Sequence, residues 1–359
     1  MNQSSLPRTR AEAFAAKLGI RIPILLAPMA GASPPSLSIA VANAGGMGAL
    51  GALLMEPHSI AAWADQFRSQ SSGEFQINLW IPAPTIPRDP ELEKRQRDFL
   101  AHWGPPVSPE MGDSVLPNFE AQCQAMLDAR PKAISSIMGL FDSSFVAEMK
   151  SRGILWIATA TTVAEALAAQ SAGADAIVAQ GMESGGHRGS FRAQDAEDQM
   201  VGLMALLPQV VDAVSVPVIA AGGIADGRAI AAALILGASA TMIGTGFLRC
   251  PEANLPAVHA ERLGQTQAHE TRITPAFTGR PGRAIANRFI EASGSPDAPP
   301  PASYPVQRGF TRPMREEAIR SGDAERMQMW AGQSACMAQN RPAALVTEQL
   351  WNEASQFLR

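Results

Sequence analysis

Eight short apolar runs, separated by alanine-rich stretches of helical period, constrain this chain more than any other feature. They lie at 24–27, 47–50, 75–79, 133–137, 154–158, 176–180, 217–221 and 240–243. Each is too short and too apolar to be the arm of an exposed hairpin. Strands that alternate with helices run parallel, because a parallel return needs a crossover and the crossover is usually a helix. Eight such strands close a ring, so the pattern predicts an α/β fold, the (β/α)8 or TIM barrel, over residues 1–250.

Local signals support individual units. After the run at 154–158, Thr162-Val-Ala-Glu165 has the form of a capping box at a helix start, and Gly173 is placed to end that helix in the left-handed conformation. The segment 217–246 repeats the design, with a helix expected at 228–236. Two regions break the rhythm. The first is an insertion at 81–117, rich in proline and charge, which follows the third strand and is either a wall over the barrel mouth or a solvated ornament. The second is the tail at 251–359, expected to pack on the barrel as an extension with a loop at 293–305 and helices at 315–334 and 343–357.

Composition excludes several classes. A formal net charge of -4 offers no basic stripe to replace phosphate counterions, which argues against a nucleic-acid partner. Cys123, Cys250 and Cys336 are odd in number and far apart, so neither a disulfide framework nor a CxxC site is available and a reducing cytoplasm is the expected location. The most apolar stretch, 201–223, is broken by Pro208, Gln209, Asp212 and Pro217, and no membrane span is expected.

The candidate chemistry gathers at strand ends. The sixth strand runs into Gln180-Gly-Met-Glu-Ser-Gly-Gly-His-Arg-Gly189, where glycines let backbone approach a planar or anionic ligand. His187 in that loop is either a surface histidine in a turn or an acid–base group at the barrel mouth. Gly222-Gly223 and Gly244-Thr245-Gly246 follow the seventh and eighth strands, where barrels commonly bind phosphate through glycine amides. Met29 and Asn78 reach the same mouth after the first and third strands. Other signals are discounted. Gly46-Met-Gly48-Ala-Leu-Gly51 matches a dinucleotide fingerprint but lies across a strand. His58, His102, His259 and His269 lack metal-ligand spacing, so no metal is expected and surface or interface roles are assigned to them.

At these residues the chain resembles the nitronate monooxygenases, formerly called 2-nitropropane dioxygenases, from about residue 23 to 246 with echoes in the tail. The matching pieces are PILLAPMAG from Pro23, Asn78, AQGMESGGHRGSF at 179–191, AAGGIADGR at 220–228, IGTGFL at 243–248, TGRPGRAIANR at 278–288 and WAGQSA at 330–335. The resemblance implies bound FMN, contacted by Gln180, Gly185, Gly222, Gly223, Met242, Gly244 and Thr245, with Met29 and Asn78 near its ring. It also implies that His187 is the catalytic base. The implied reaction takes alkyl nitronates, or nitroalkanes after loss of the α-proton, and O2 to carbonyl compounds and nitrite, with a homodimer as one option for assembly. Some family members line the substrate pocket with several tyrosines, whereas this chain has only Tyr304. NAD(P)H-dependent FMN reductases of the enoyl-[acyl-carrier-protein] reductase type have a similar barrel and Gly-Gly-His loop and stand as the alternative, although Arg188-Gly-Ser-Phe191 looks more like the monooxygenases.

Overall fold

The computed structural model describes residues 6–84 and 86–358. All eight predicted runs are strands of one parallel ring. They are β1 (Ile24–Leu26), β2 (Gly48–Gly51), β3 (Phe75–Trp80), β4 (Ala133–Ile137), β5 (Leu155–Ala160), β6 (Ala176–Gln180) and, after a two-residue β7 (Gly186–His187) outside the ring, β8 (Val218–Ala221) and β9 (Ala240–Ile243). Their order is β1-β9-β8-β6-β5-β4-β3-β2. A parallel bridge between Leu25 and Met47 joins β1 to the residue before β2 and completes the circle. The fold is a (β/α)8 barrel.

The two-residue side-chain period of each strand sorts the core into two layers. Ile24, Leu26, Ile134, Trp156, Ile177 and Ala220 face outward against the helices. Leu25, Ile157, Val178, Ile219 and Met242 face inward, together with Phe14 and Leu18 of the helix Pro7–Leu18. The same inner cluster holds Ala133, Ala176 and Ala240, the first residues of their strands. The helix therefore plugs the N-terminal end of the barrel. Polar groups stand nearer the opposite end, where Asn78, Thr159 and Gln180 are buried late in β3, β5 and β6.

Some local expectations are corrected. Thr162 caps its helix, accepting from the Glu165 amide at 3.2 Å, but the Glu165 carboxylate turns to Thr161 N (2.7 Å) and Phe191 N (2.7 Å), so the capping box is only half made. Gly173 has φ 101, as its place after the helix requires. The tail helix expected at 315–334 is Arg312–Ser321, stopped by Gly322 at φ 65; residues beyond it run past Ala284, which bridges Trp330. The helix Ala343–Phe357 matches its expected bounds and lies against Gly227–Ile235.

The tail also contains β10 (Thr271–Thr274) and β11 (Gly282–Ile285), which the sequence does not announce: TRIT and GRAI carry no apolar alternation. They form an antiparallel sheet with β7, with Gly282 opposite His187. The insertion is not a solvated ornament. Its helix Pro90–Leu100 sends Gln96 Nε2 to Pro300 O (2.7 Å), and Leu100 packs in one cluster with Phe277, Phe289, Phe310 and Met314 of the tail. Among the described residues no helix is long and apolar enough to cross a membrane.

Candidate active site

His187 lies at the junction of the barrel and the tail. Being in β7, it is held by backbone pairing to β11 instead of hanging in a turn. Its ring meets Trp80 edge-on, with centroids 4.6 Å apart, and Trp330 at 4.8 Å. Trp80 also neighbours Tyr304 at 5.4 Å. The Nε2 atom is 2.8 Å from Thr278 Oγ1. Burial, reinforced by the positive charges of Arg280 and Arg308, pushes the imidazole pKa down to about 3. The ring is thus neutral near pH 7, the form a base requires.

A consequence follows for stability. The unfolded imidazole binds a proton near the ordinary value of about 6.5, while the folded one does so only near 3. Between those values the unfolded state holds more protons, so stability falls as pH falls. Urea unfolding from pH 7 to 4 should show a wild-type loss steeper than that of His187→Asn, by no more than about 1.4 kcal/mol per pH unit. Parallel curves would contradict the neutral state.

Gln180 organises the loop behind the histidine. Its Oε1 accepts from Gly189 N (2.8 Å) and from Arg188 Nη1 (3.2 Å), and its Nε2 donates to His187 O (3.3 Å). Arg188 is fully buried and spends Nη1 also on Gly181 O (2.9 Å), leaving Nε and Nη2 without a partner among the described residues. Burial lowers its pKa to about 10. Glu165 ties Phe191 of the same segment to Thr161. Replacing Glu165 with alanine should cost roughly 1–3 kcal/mol, because amides would lose a charged acceptor; urea midpoints measure this, and an unchanged midpoint would refute the clamp.

The glycines after β8 and β9 form a second cluster. Gly222 has φ 117, and a Cβ there would meet Ser184 Oγ at 2.7 Å. Gly223, at φ 67, faces Glu183 and Ser334. A Cβ on Gly185 would meet Gly332 N at 2.5 Å and Thr245 Oγ1 at 2.9 Å, and one on Gly244 would meet the Met29 sulfur at 3.2 Å. Thr245 Oγ1 accepts from Gly332 N (3.0 Å), and Ser334 Oγ donates to Gly223 O (2.7 Å). Loops after β1, β6, β8 and β9 thus converge with the tail segment 330–335. The buried Ser184 hydroxyl has no partner among the described residues. A glycine-lined cradle with a hydroxyl left unpartnered among the described residues fits a phosphate group.

The remaining candidates are placed less directly. Asn78 is buried late in β3, two residues before Trp80, with Nδ2 donating to Ser135 O and Oγ at 3.2 and 3.1 Å. Met242 belongs to the inner layer of the barrel with Ala27 and Ala221. Sequence reasoning does not single out Trp80, Thr278, Arg280, Tyr304, Arg308, Trp330, Gly332 or Ser334 as site residues. Most of these lie in the tail, and only the pieces at 278–288 and 330–335 give any signal there. His259, expected at the surface or an interface, is instead buried, with burial lowering its pKa to about 4.

Fold and site together define a (β/α)8 barrel in which glycine-rich loops after the strands converge beside a histidine set among aromatic rings. The nitronate monooxygenase family model matches residues 11–353. A probable nitronate monooxygenase of Staphylococcus aureus (strain JH9) is 35% identical over 348 residues, 95% of this chain and 97% of that one. The solved nitroalkane oxidase from Streptomyces ansochromogenes superposes with a TM-score of 0.87 at 36% identity, covering 96% and 98% of the two chains. FabK from Thermotoga maritima gives 0.73 at 27%, covering 96% of each. The chain belongs to the nitronate monooxygenase family and is a flavin-dependent oxidoreductase.

Proposed function

We propose that the protein holds FMN in the glycine cradle and oxidises alkyl nitronates, and nitroalkanes after proton removal, with O2 to carbonyl compounds and nitrite. The observation that carries this reading is that one loop, 180–189, joins the cradle to the aromatic-walled histidine. Gly185, Gly222, Gly223, Gly244, Thr245 and Ser184 would hold the phosphate, with Met29, Asn78, Gln180 and Met242 toward the ring. When bound, FMN supplies the electron acceptor.

The protein's own groups do the rest. Neutral His187 takes the α-proton of a nitroalkane; the C–H electron pair moves into the nitro group and leaves a nitronate anion. Arg280 is buried, and its Nε has no partner among the described residues; Arg308 adds a second positive charge felt by His187. Their field favours the anionic product and draws in a preformed nitronate. Trp80 and Trp330 exclude water around the ring. Tyr304, whose pKa burial raises to about 12, stays a neutral phenol, its hydroxyl unpartnered among the described residues.

The test is a visible spectrum of purified protein, identification of the flavin released on denaturation, and anaerobic mixing with ethyl nitronate or NADH. Bleaching by the nitronate, with nitrite release in air, is expected. Rapid bleaching by NADH without nitronate oxidation would overturn the proposal in favour of a reductase.

A further inference from the structure

The environment of Thr278 decides which nitrogen of His187 carries the proton. The Thr278 hydroxyl is buried, and three contacts converge on it. It donates to Arg280 O at 3.1 Å, accepts from Arg280 N at 3.3 Å, and lies 2.8 Å from His187 Nε2. A hydroxyl has one hydrogen and two lone pairs. If the hydrogen turned to His187, the carbonyl of buried Arg280 would lose the hydroxyl donor that it has here, and a buried carbonyl without a donor is costly. With the hydrogen on the Arg280 carbonyl, both lone pairs are used, one by Arg280 N and one by a hydrogen on Nε2.

We propose that Thr278 is a positioning residue that fixes His187 in the tautomer with Nε2 protonated, leaving Nδ1 as the atom that receives the substrate proton. Nδ1 makes no hydrogen bond to any described residue, consistent with a lone pair kept for substrate. In the proton transfer the nitroalkane C–H bond breaks, its electron pair passes into the nitro group, and a new N–H bond forms at Nδ1. The imidazolium so formed still donates from Nε2 to Thr278. This rests on the reading of His187 as the base.

The experiment compares flavin-loaded wild type, Thr278→Val, Thr278→Ser and His187→Asn. Nitroethane requires proton removal, whereas ethyl nitronate does not. Thr278→Val should lower kcat/KM for nitroethane by about 10-fold or more, part of the roughly 10²–10⁴ that a positioned base supplies, with little change for ethyl nitronate. Thr278→Ser should restore nitroethane turnover. In 15N-histidine-labelled enzyme, the His187 resonances, identified by their absence from His187→Asn, should show protonated Nε2 in wild type and lose that pattern in Thr278→Val. Equal losses on both substrates, or a wild-type spectrum with protonated Nδ1, would overturn the inference. If His187→Asn itself keeps nitroethane turnover, the underlying reading of His187 fails; if His187→Asn loses turnover and Thr278→Val does not, only the role of Thr278 fails. The serine variant and the wild-type spectrum keep the test decisive even where valine disturbs folding.

Discussion

Replacing His187 with asparagine is expected to cut kcat/KM for nitroethane by about 10²- to 10⁴-fold, the range a general base supplies, and to leave oxidation of ethyl nitronate nearly unchanged. The difference between substrates follows from what each needs. A neutral nitroalkane must give up a carbon-bound proton, while its nitronate already has. Asparagine keeps polar atoms close to where the imidazole nitrogens stood, so the contacts with Trp80 and Trp330 and the pairing with β11 lose less than with alanine. The pH profile carries a second signature. Because burial, Arg280 and Arg308 hold the imidazole well below its ordinary range, kcat/KM for nitroethane should show no acid limb near about 6.5. In the proposed reaction the ring would still accept the proton, since a nitronate formed beside it favours imidazolium and is itself favoured by the arginines. A well-defined limb near the ordinary value would mean that the ring is more solvated than the fold implies.

The fold was legible in the sequence because the barrel strands are buried on both faces and therefore apolar at most positions. Ile177 faces the helices and Val178 the barrel interior, and both are aliphatic. The tight turn after β8 was legible for a different reason. Gly222 and Gly223 adopt positive φ, a demand that glycine meets and other residues rarely do. The wall of the histidine pocket was not legible. Trp80, Thr278, Arg280, Tyr304 and Trp330 come from the end of β3 and three separate parts of the tail, and nothing local in TGRPG or in the proline run before Tyr304 says which barrel loop it will meet. That information resides in long-range packing: the insertion around Leu100 supports Phe277 and Phe289, and Phe277 in turn backs Trp330 at 6.1 Å. The half-made capping box has the same origin, for Glu165 abandons its local partner to hold Phe191, a residue 26 positions away.

Substituting Gly222 with alanine is expected to give folded protein that has lost most of its flavin. Two costs combine at this position. At φ 117 an L-residue is strained by roughly 1–3 kcal/mol, and the new methyl would meet Ser184 Oγ at 2.7 Å and Gly181 O at 3.2 Å. The backbone would yield by moving away from Ser184, which opens the cradle at the point proposed to hold the phosphate. Each 1.4 kcal/mol or so lost from the bound state weakens retention tenfold, so flavin content per chain after gel filtration is the measurement. Gly153→Ala separates strain from crowding: Gly153 also has positive φ, at 71, but a methyl group added there would find nothing within 4 Å, and the variant should stay yellow. Ser184→Ala leaves the backbone alone and removes only the unpartnered hydroxyl, so it should weaken FMN more than riboflavin, which lacks the phosphate. Equal flavin content in Gly222→Ala and wild type, or equal weakening of FMN and riboflavin in Ser184→Ala, would move the phosphate away from this cradle and leave its glycines explained by the tight turns after β8 and β9 alone.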